Sequence, residues 1–169
     1  MTVVSVEDDF LDADVWARIH AETTSSEFPW YYNDSVIGGY GTEEQEHLSN
    51  FQFCHNLYSH GMARSPAFDM FPSLLGRLRV KELIRMKLNL TVHGQDNTQL
   101  AWHSDDKAPD VWTAVYYITD NNGGTMFHDQ QQVENKPNRI VVFPSELVHC
   151  GLRSDNAKQR IVANIVYRI

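Results

Sequence analysis

Between Ile84 and Val92 the chain alternates without a break: Ile84, Met86, Leu88, Leu90 and Val92 are apolar, while Arg85, Lys87, Asn89 and Thr91 between them are polar. Successive side chains of a strand point to opposite sides, so this run is a strand with two unlike faces and fits no helix. The apolar face needs a core to cover it. The other face is unusually polar for a strand buried on both sides.

Further strands are expected at Trp112 to Ile118, Thr125 to His128, Arg139 to Phe143, Val148 to Leu152 and Gln159 to Ile169. Turn-forming clusters separate them, at Asn121-Asn122-Gly123-Gly124, Asn135-Lys136-Pro137-Asn138, Pro144-Ser145 and Ser154-Asp155-Asn156. The earlier half reads as helical and irregular. Asp12 is a candidate N-cap for a helix carried by Val15, Trp16, Ile19 and His20, which weakens at Thr23 and Thr24. A second helical region is expected from Arg64 to Leu78, interrupted or restarted at Pro72. The aromatic run Phe28-Pro29-Trp30-Tyr31-Tyr32 is expected to pack against the core. Helices followed by about eight short strands give an α+β chain whose sheet portion is a barrel or sandwich. One domain over 1–169 is expected, with 1–83 as helical and irregular support and 84–169 as the strand core.

The formal net charge of -8 disfavours a sequence-independent grip on nucleic acid. One basic segment runs against it: Arg77, Arg79, Lys81, Arg85 and Lys87, read here as a solvated helix end leading into a strand. Two cysteines, Cys54 and Cys150, are too few for a disulfide framework and suggest free thiols in a reducing compartment. No stretch reaches the length of a membrane span, and Met1 to Asp14 lacks the pattern of a signal peptide. A cytoplasmic setting is the expectation.

Two tripeptides have the form His-x-acid: His20-Ala21-Glu22 and His103-Ser104-Asp105. Residues two apart share a face on a strand but not on a helix. His20 and Glu22 fall in the expected helix and cannot readily chelate one ion, whereas His103 and Asp105 fall at a strand end and can. His149, in a later strand, completes two histidines and a carboxylate, a set that holds one face of a divalent ion and leaves the other open. His93 and His128 are rivals, read by default as surface or substrate-facing residues. Cys150 adjoins His149 and points to the opposite face.

In the last strand, Ile161, Ala163, Ile165, Tyr167 and Ile169 form an apolar stripe, and Arg160, Val162, Asn164, Val166 and Arg168 form the other face. An arginine facing a barrel interior is costly unless a carboxylate pairs with it, and its planar fork suits a bound dicarboxylate. The alternatives are an arginine reaching water at the strand mouth, and a β-barrel that binds metal without catalysis.

The ordered set His103, Asp105, His149 and Arg160 resembles the 2-oxoglutarate/Fe(II)-dependent oxygenase superfamily. The resemblance covers about residues 84 to 169. Within the superfamily it is nearest to the small prolyl 4-hydroxylase-like members of bacteriophages. It is carried by Lys87-Leu88-Asn89-Leu90, Trp102-His103-Ser104-Asp105, Ala114-Val115-Tyr116-Tyr117 and Val148-His149-Cys150-Gly151, and extends weakly to Phe28–Tyr32. It implies a double-stranded β-helix (jelly-roll, cupin-like) with N-terminal helices packed on it. It also implies Fe(II) held by His103, Asp105 and His149, and 2-oxoglutarate whose C5 carboxylate pairs with Arg160. Asn89 matches a position that touches the cosubstrate in relatives, and Asn164 and Thr91 are taken with it. Relatives often carry tyrosine where this chain has Thr91, which offers only a shorter hydroxyl. Halogenating members lack the acidic ligand, so Asp105 argues for hydroxylation or demethylation.

The implied reaction consumes O2 and 2-oxoglutarate and releases succinate and CO2 while hydroxylating a C–H bond, with prolyl or another peptide or amino-acid substrate as the family-level analogy. His93, His128 and Tyr117 are the substrate-side candidates. The loops His93–Gln99, Asp105–Asp110 and Gly123–Gln132 are expected to shape the substrate site. A nucleic-acid demethylase of the same superfamily is the alternative, resting on the basic segment.

Overall fold

The computed structural model describes residues 4–36, 50–94 and 99–169. Its strands are β1 (Ser5–Glu7), β2 (Tyr31–Asn33), β3 (Gln52–Ser59), β4 (Met62–Ala63), β5 (Glu82–Val92), β6 (Trp112–Tyr117), β7 (Gly124–Phe127), β8 (Gln132–Glu134), β9 (Arg139–Pro144), β10 (His149–Leu152) and β11 (Gln159–Arg168). Helix α1 spans Ala13–Thr23 and α2 spans Pro72–Arg77, the latter preceded by a 3-10 turn at Pro66–Met70. The larger sheet runs β1-β9-β6-β11-β5-β3-β2, with β4 paired to β3; a second sheet runs β10-β7-β8. Every pairing among these strands is antiparallel. This is the texture of a jelly roll.

The alternation of β5 and β11 decides where each layer lies. The two strands pair over almost their whole lengths, Leu88 opposite Ala163 and Leu90 opposite Ile161. Their apolar face joins Tyr116, Ile140, Ile19 and Leu74 in one buried cluster, so α1 and α2 contribute side chains to the outer layer. Trp16 of α1 also donates its indole N–H to the Ile118 carbonyl at 3.0 Å. On the inner face, Val115, Tyr117, Val141 and Val162 pack with Phe127 and Val133 of the second sheet. No described helix is long and apolar enough to cross a membrane.

Several expectations need correction. Residues 1–83, read as helical and irregular, contain β3, eight residues long and paired to β5. Its register shifts between Asn56 and Tyr58, which breaks the two-residue period that would have marked it. Strands β1, β2, β4 and β8 have two or three residues each and are too short to carry a period. The run Phe28–Tyr32 divides: Phe28 is buried, but Tyr31 and Tyr32 are 63% and 65% exposed. They lie on β2, which among the described residues is an edge strand paired to β3 alone. The basic segment divides as well. Arg77 ends α2 and pairs with exposed Glu7 at 2.5 Å, whereas Arg85 and Lys87 belong to β5 and turn to its inner face.

Candidate active site

Residues 99–103 run extended beside β10 without forming a continuous ladder, joined to it by bridges at Gln99–Leu152 and His103–His149. His103 and His149 exchange both backbone bonds, each N–H donating to the other's carbonyl at 2.9 Å. Directly opposed residues of an antiparallel pair share a face. That places the two imidazoles side by side, ring centroids 4.6 Å apart. Asp105 follows His103 into the turn, where its backbone N–H donates to the Ser145 carbonyl at 3.0 Å. One ligand atom from each of His103, Asp105 and His149 lies within 4.8 Å of the others.

The second ring of contacts sets the chemistry of these three. His103 Nδ1 lies 3.0 Å from the Ala101 carbonyl, and His149 Nδ1 lies 2.9 Å from the Leu147 carbonyl. A carbonyl only accepts, so both Nδ1 atoms carry the proton and both Nε2 lone pairs are left for a metal. Burial, with His103 beside it, pushes His149 down to about 4, so its ring is neutral at neutral pH. Burial opposes the charge on Asp105, but neighbouring His149 and Arg85 outweigh it and hold the carboxyl below its ordinary value. Because His149 is itself neutral, Arg85 is the cation that matters, 2.6 Å from Asp105 Oδ1. Thr113 Oγ1 and Asn164 Nδ2 donate to Oδ2 at 3.0 and 3.3 Å. This carboxylate is fixed in orientation before any metal arrives.

The three ligands line one cavity together with Arg160, Thr91, Asn89, Asn164, Lys87, Gln52 and Thr125. Arg160 is 4% exposed. One of its amino groups donates to the Gly124 carbonyl at 2.9 Å, and its guanidinium lies 5.6 Å from the centre of the Tyr117 ring. Burial works against its charge, and no carboxylate among the described residues pairs with it. Its Nε and the Thr91 Oγ1 opposite it in the sheet are buried without a hydrogen-bond partner. Uncompensated polar atoms of this kind are costly in a folded chain. A cation and a hydroxyl left open in a cavity that also holds a metal triad fit a dicarboxylate with one end on the metal and the other on Arg160.

The remaining expected site residues are placed as follows. Asn89 lines the cavity, its Oδ1 accepting from the Cys54 thiol at 3.5 Å. Asn164 lines it too, but its amide is engaged by Asp105 and by Arg85, which donates to Oδ1 at 3.2 Å. Tyr117 is not on the substrate side. It is fully buried behind Arg160, with its hydroxyl donating to Thr125 Oγ1 at 2.8 Å, because the second sheet covers this end of β6. His93 and His128 are exposed and outside the cavity lining. His128 sits edge-on to Trp102, ring centroids 6.0 Å apart. Of the loop His93–Gln99, residues 95–98 lie outside the described residues. Neither Cys54 nor Cys150 forms a disulfide.

Some functional positions escaped the sequence reading. Arg85, Lys87 and Thr113 were visible as polar residues in strands, but nothing local linked Arg85 and Thr113 to Asp105. Gly123 was read as a turn residue. A Cβ there would stand 2.6 Å from the Leu152 carbonyl oxygen and 2.8 Å from Arg160 Cδ, so the glycine makes room for the arginine.

Residues 87–168 match the model of the 2OG-Fe(II) oxygenase superfamily, a span that contains the triad and Arg160. A search of curated protein sequences found no match. Among solved structures, a prolyl-4-hydroxylase from Pseudomonas putida superposes with a TM-score of 0.67 at 16% identity, covering 99% of this chain and 93% of that one. The epimerase SnoN from nogalamycin biosynthesis, in complex with Fe3+, alpha-ketoglutarate and nogalamycin RO, gives 0.67 at 12%, with 99% and 79% covered. A Trichoplax adhaerens prolyl hydroxylase, in complex with a hypoxia inducible factor oxygen degradation domain peptide fragment, gives 0.64 at 9%, with 98% and 83% covered. At these identities the likenesses speak to fold; the family rests on the matched segment and the triad within it. Through residues 87–168, this chain belongs to the 2OG-Fe(II) oxygenase superfamily, enzymes that depend on iron and 2-oxoglutarate.

Proposed function

We propose that the enzyme hydroxylates a C–H bond of a peptide or amino-acid substrate, coupled to conversion of 2-oxoglutarate and O2 into succinate and CO2. The observation that carries the reading is Arg160: buried, without a carboxylate partner among the described residues, and lining one cavity with His103, Asp105 and His149. Each residue has a defined task. His103 and His149 offer Nε2 to the metal while the Ala101 and Leu147 carbonyls hold their rings. Asp105 is the anionic ligand, kept ionised by Arg85 and aimed by Thr113 and Asn164. Arg160 takes the C5 carboxylate of 2-oxoglutarate, with the Thr91 hydroxyl beside it. Fe(II), when bound to the triad, supplies the activation of O2 and the cleavage of the C–H bond. The chain's own contribution is to orient the ligands and the cosubstrate and to keep water from the reacting atoms.

Prolyl hydroxylation is the favoured specific case because two of the superposed structures are prolyl hydroxylases, one of them with a peptide. The epimerase on the same fold means that fold alone does not select the substrate. The nucleic-acid alternative drew on the basic segment, and the inward turn of Arg85 and Lys87 leaves two of its five charges only partly exposed. In the same reading, residues 1–169 form one double-stranded β-helix domain with α1 and α2 on its outer face, working in the cytoplasm where Cys54 and Cys150 stay reduced.

The test is succinate formation from 2-oxoglutarate with Fe(II), ascorbate and O2. The wild-type enzyme is expected to form succinate slowly even without a prime substrate, and H103A is expected to form none. A wild-type protein that binds neither Fe(II) nor 2-oxoglutarate would overturn the reading.

A further inference from the structure

The cavity contains one cation that neither the metal centre nor the cosubstrate uses. Lys87 lines it, half-buried, and among the described residues makes no hydrogen bond or ion pair. Among the described residues, Asp105 is the sole carboxylate in the lining, and it is engaged by Arg85 at 2.6 Å. Charge can be followed through the loaded site. A divalent metal balances the two carboxylates of 2-oxoglutarate, and Arg85 balances Asp105. Among the described residues the loaded site then carries two positive charges in excess, with Arg160 and Lys87 as the cations still to be assigned, in a chain whose formal net charge is -8.

Distance assigns one of them. Arg160 stands opposite Thr91 and Asn164 opposite Lys87, so the backbone positions of the two residues are four residues apart along the sheet, about 13 Å at the rise of a strand. A five-carbon diacid spans only about 5 Å between its terminal carbons, taking bond lengths near those of the backbone. A cosubstrate of that length anchored at Arg160 spans less than half of this backbone separation, and Asn89 lies at the level between the two. Lys87 sits at the metal end, where Asn164 across the strand pair touches Asp105. That is the end at which the bond to be broken has to lie.

Building on the oxygenase reading, we propose that Lys87 is a substrate-binding residue that receives a carboxylate of the prime substrate, so that the enzyme acts on an acid-bearing molecule such as a free amino acid or an acidic residue of a peptide. A cation in a partly desolvated cavity gains most from an ionised partner, because a neutral amide leaves its charge unanswered. Burial and the neighbouring Arg85 both disfavour the Lys87 proton, and a bound carboxylate would relieve both effects.

The test uses the full chain loaded with Zn(II) and the non-reactive cosubstrate analogue N-oxalylglycine, whose own binding is measured first by calorimetry. Loss of that step would indict the oxygenase reading and not this one. Acetate, propionate, free amino acids and their matched amides are then titrated by NMR, watching the methyl and amide signals around β5. The expected result is a preference of about tenfold for carboxylates over amides in the loaded wild type, retained in K87R and lost in K87M. Equal or absent binding of the two series, or a preference that survives K87M, would overturn the proposal. So would K87M weakening N-oxalylglycine while leaving the preference intact, since Lys87 would then belong to the cosubstrate.

Discussion

On the outer face of β5 and β11, Met86, Leu88, Ile161, Ala163 and Ile165 are completely buried and belong to the apolar core cluster. One residue further along each strand, on the inner face, stand Arg85, Thr91 and Arg160, each with a buried nitrogen or oxygen that has no partner. The backbone and the pairing are the same for both faces. The outer face removes hydrocarbon from water and stabilises the fold. The inner face gives some of that stability away by keeping polar atoms buried without a partner among the described residues; on the proposed reading, the cosubstrate supplies the partner of Thr91 and Arg160. Three of the five such atoms among the described residues lie on these two strands.

The comparison can be broken first where the effect should be greatest. L88A opens a hole in the outer core and is expected to lower unfolding free energy by about 2–5 kcal/mol in a denaturant titration. Turnover per folded molecule should stay near wild type; a matching loss of turnover would show that the faces are not independent. T113V removes one hydrogen bond from Asp105 on the inner face. It should weaken Mn(II) affinity about tenfold, as expected for an outer partner of a metal ligand, and cost about 1–3 kcal/mol of stability because the buried Ser145 hydroxyl, 2.8 Å away, loses its partner too. Y117F probes a residue that faces inward yet acts as packing. Loss of its bond to Thr125 should cost about 1 kcal/mol of stability and leave 2-oxoglutarate affinity within a factor of about three. A larger loss of affinity would return Tyr117 to the binding machinery.

How much of this was legible in the chain depends on the range of the physical signal. The alternation of β5 and β11 is a local property, and it separated the two faces and put Arg160 and Thr91 on the polar one. His103, Asp105 and His149 could be grouped because residues two apart on an extended segment share a face. The direct opposition of His103 and His149 is a fact of register that no single strand displays. Strand β3 was hidden by its register shift, and Tyr117 was misplaced because the layer covering it comes from β7 and β8. Arg85 stood on the correct face, but its partner lies 20 residues away across a turn, and only folding brings them together. Gly123 signals a turn in any sequence; its service to Arg160 is a clearance, 2.8 Å from where a Cβ would stand, that only the folded chain displays.

The most direct test of the central claim is calorimetric titration of 2-oxoglutarate into the Mn(II)-loaded wild type and R160M, with unfolding measured on both apo proteins. If the inner face holds its charge for the cosubstrate, R160M should lose about a hundredfold in 2-oxoglutarate affinity, as when one partner of a buried charge pair is removed. Its apo form should be no less stable than wild type, because an unpaired buried cation has been taken away. Unchanged 2-oxoglutarate affinity, together with a destabilised apo protein, would make Arg160 a structural residue and contradict the account.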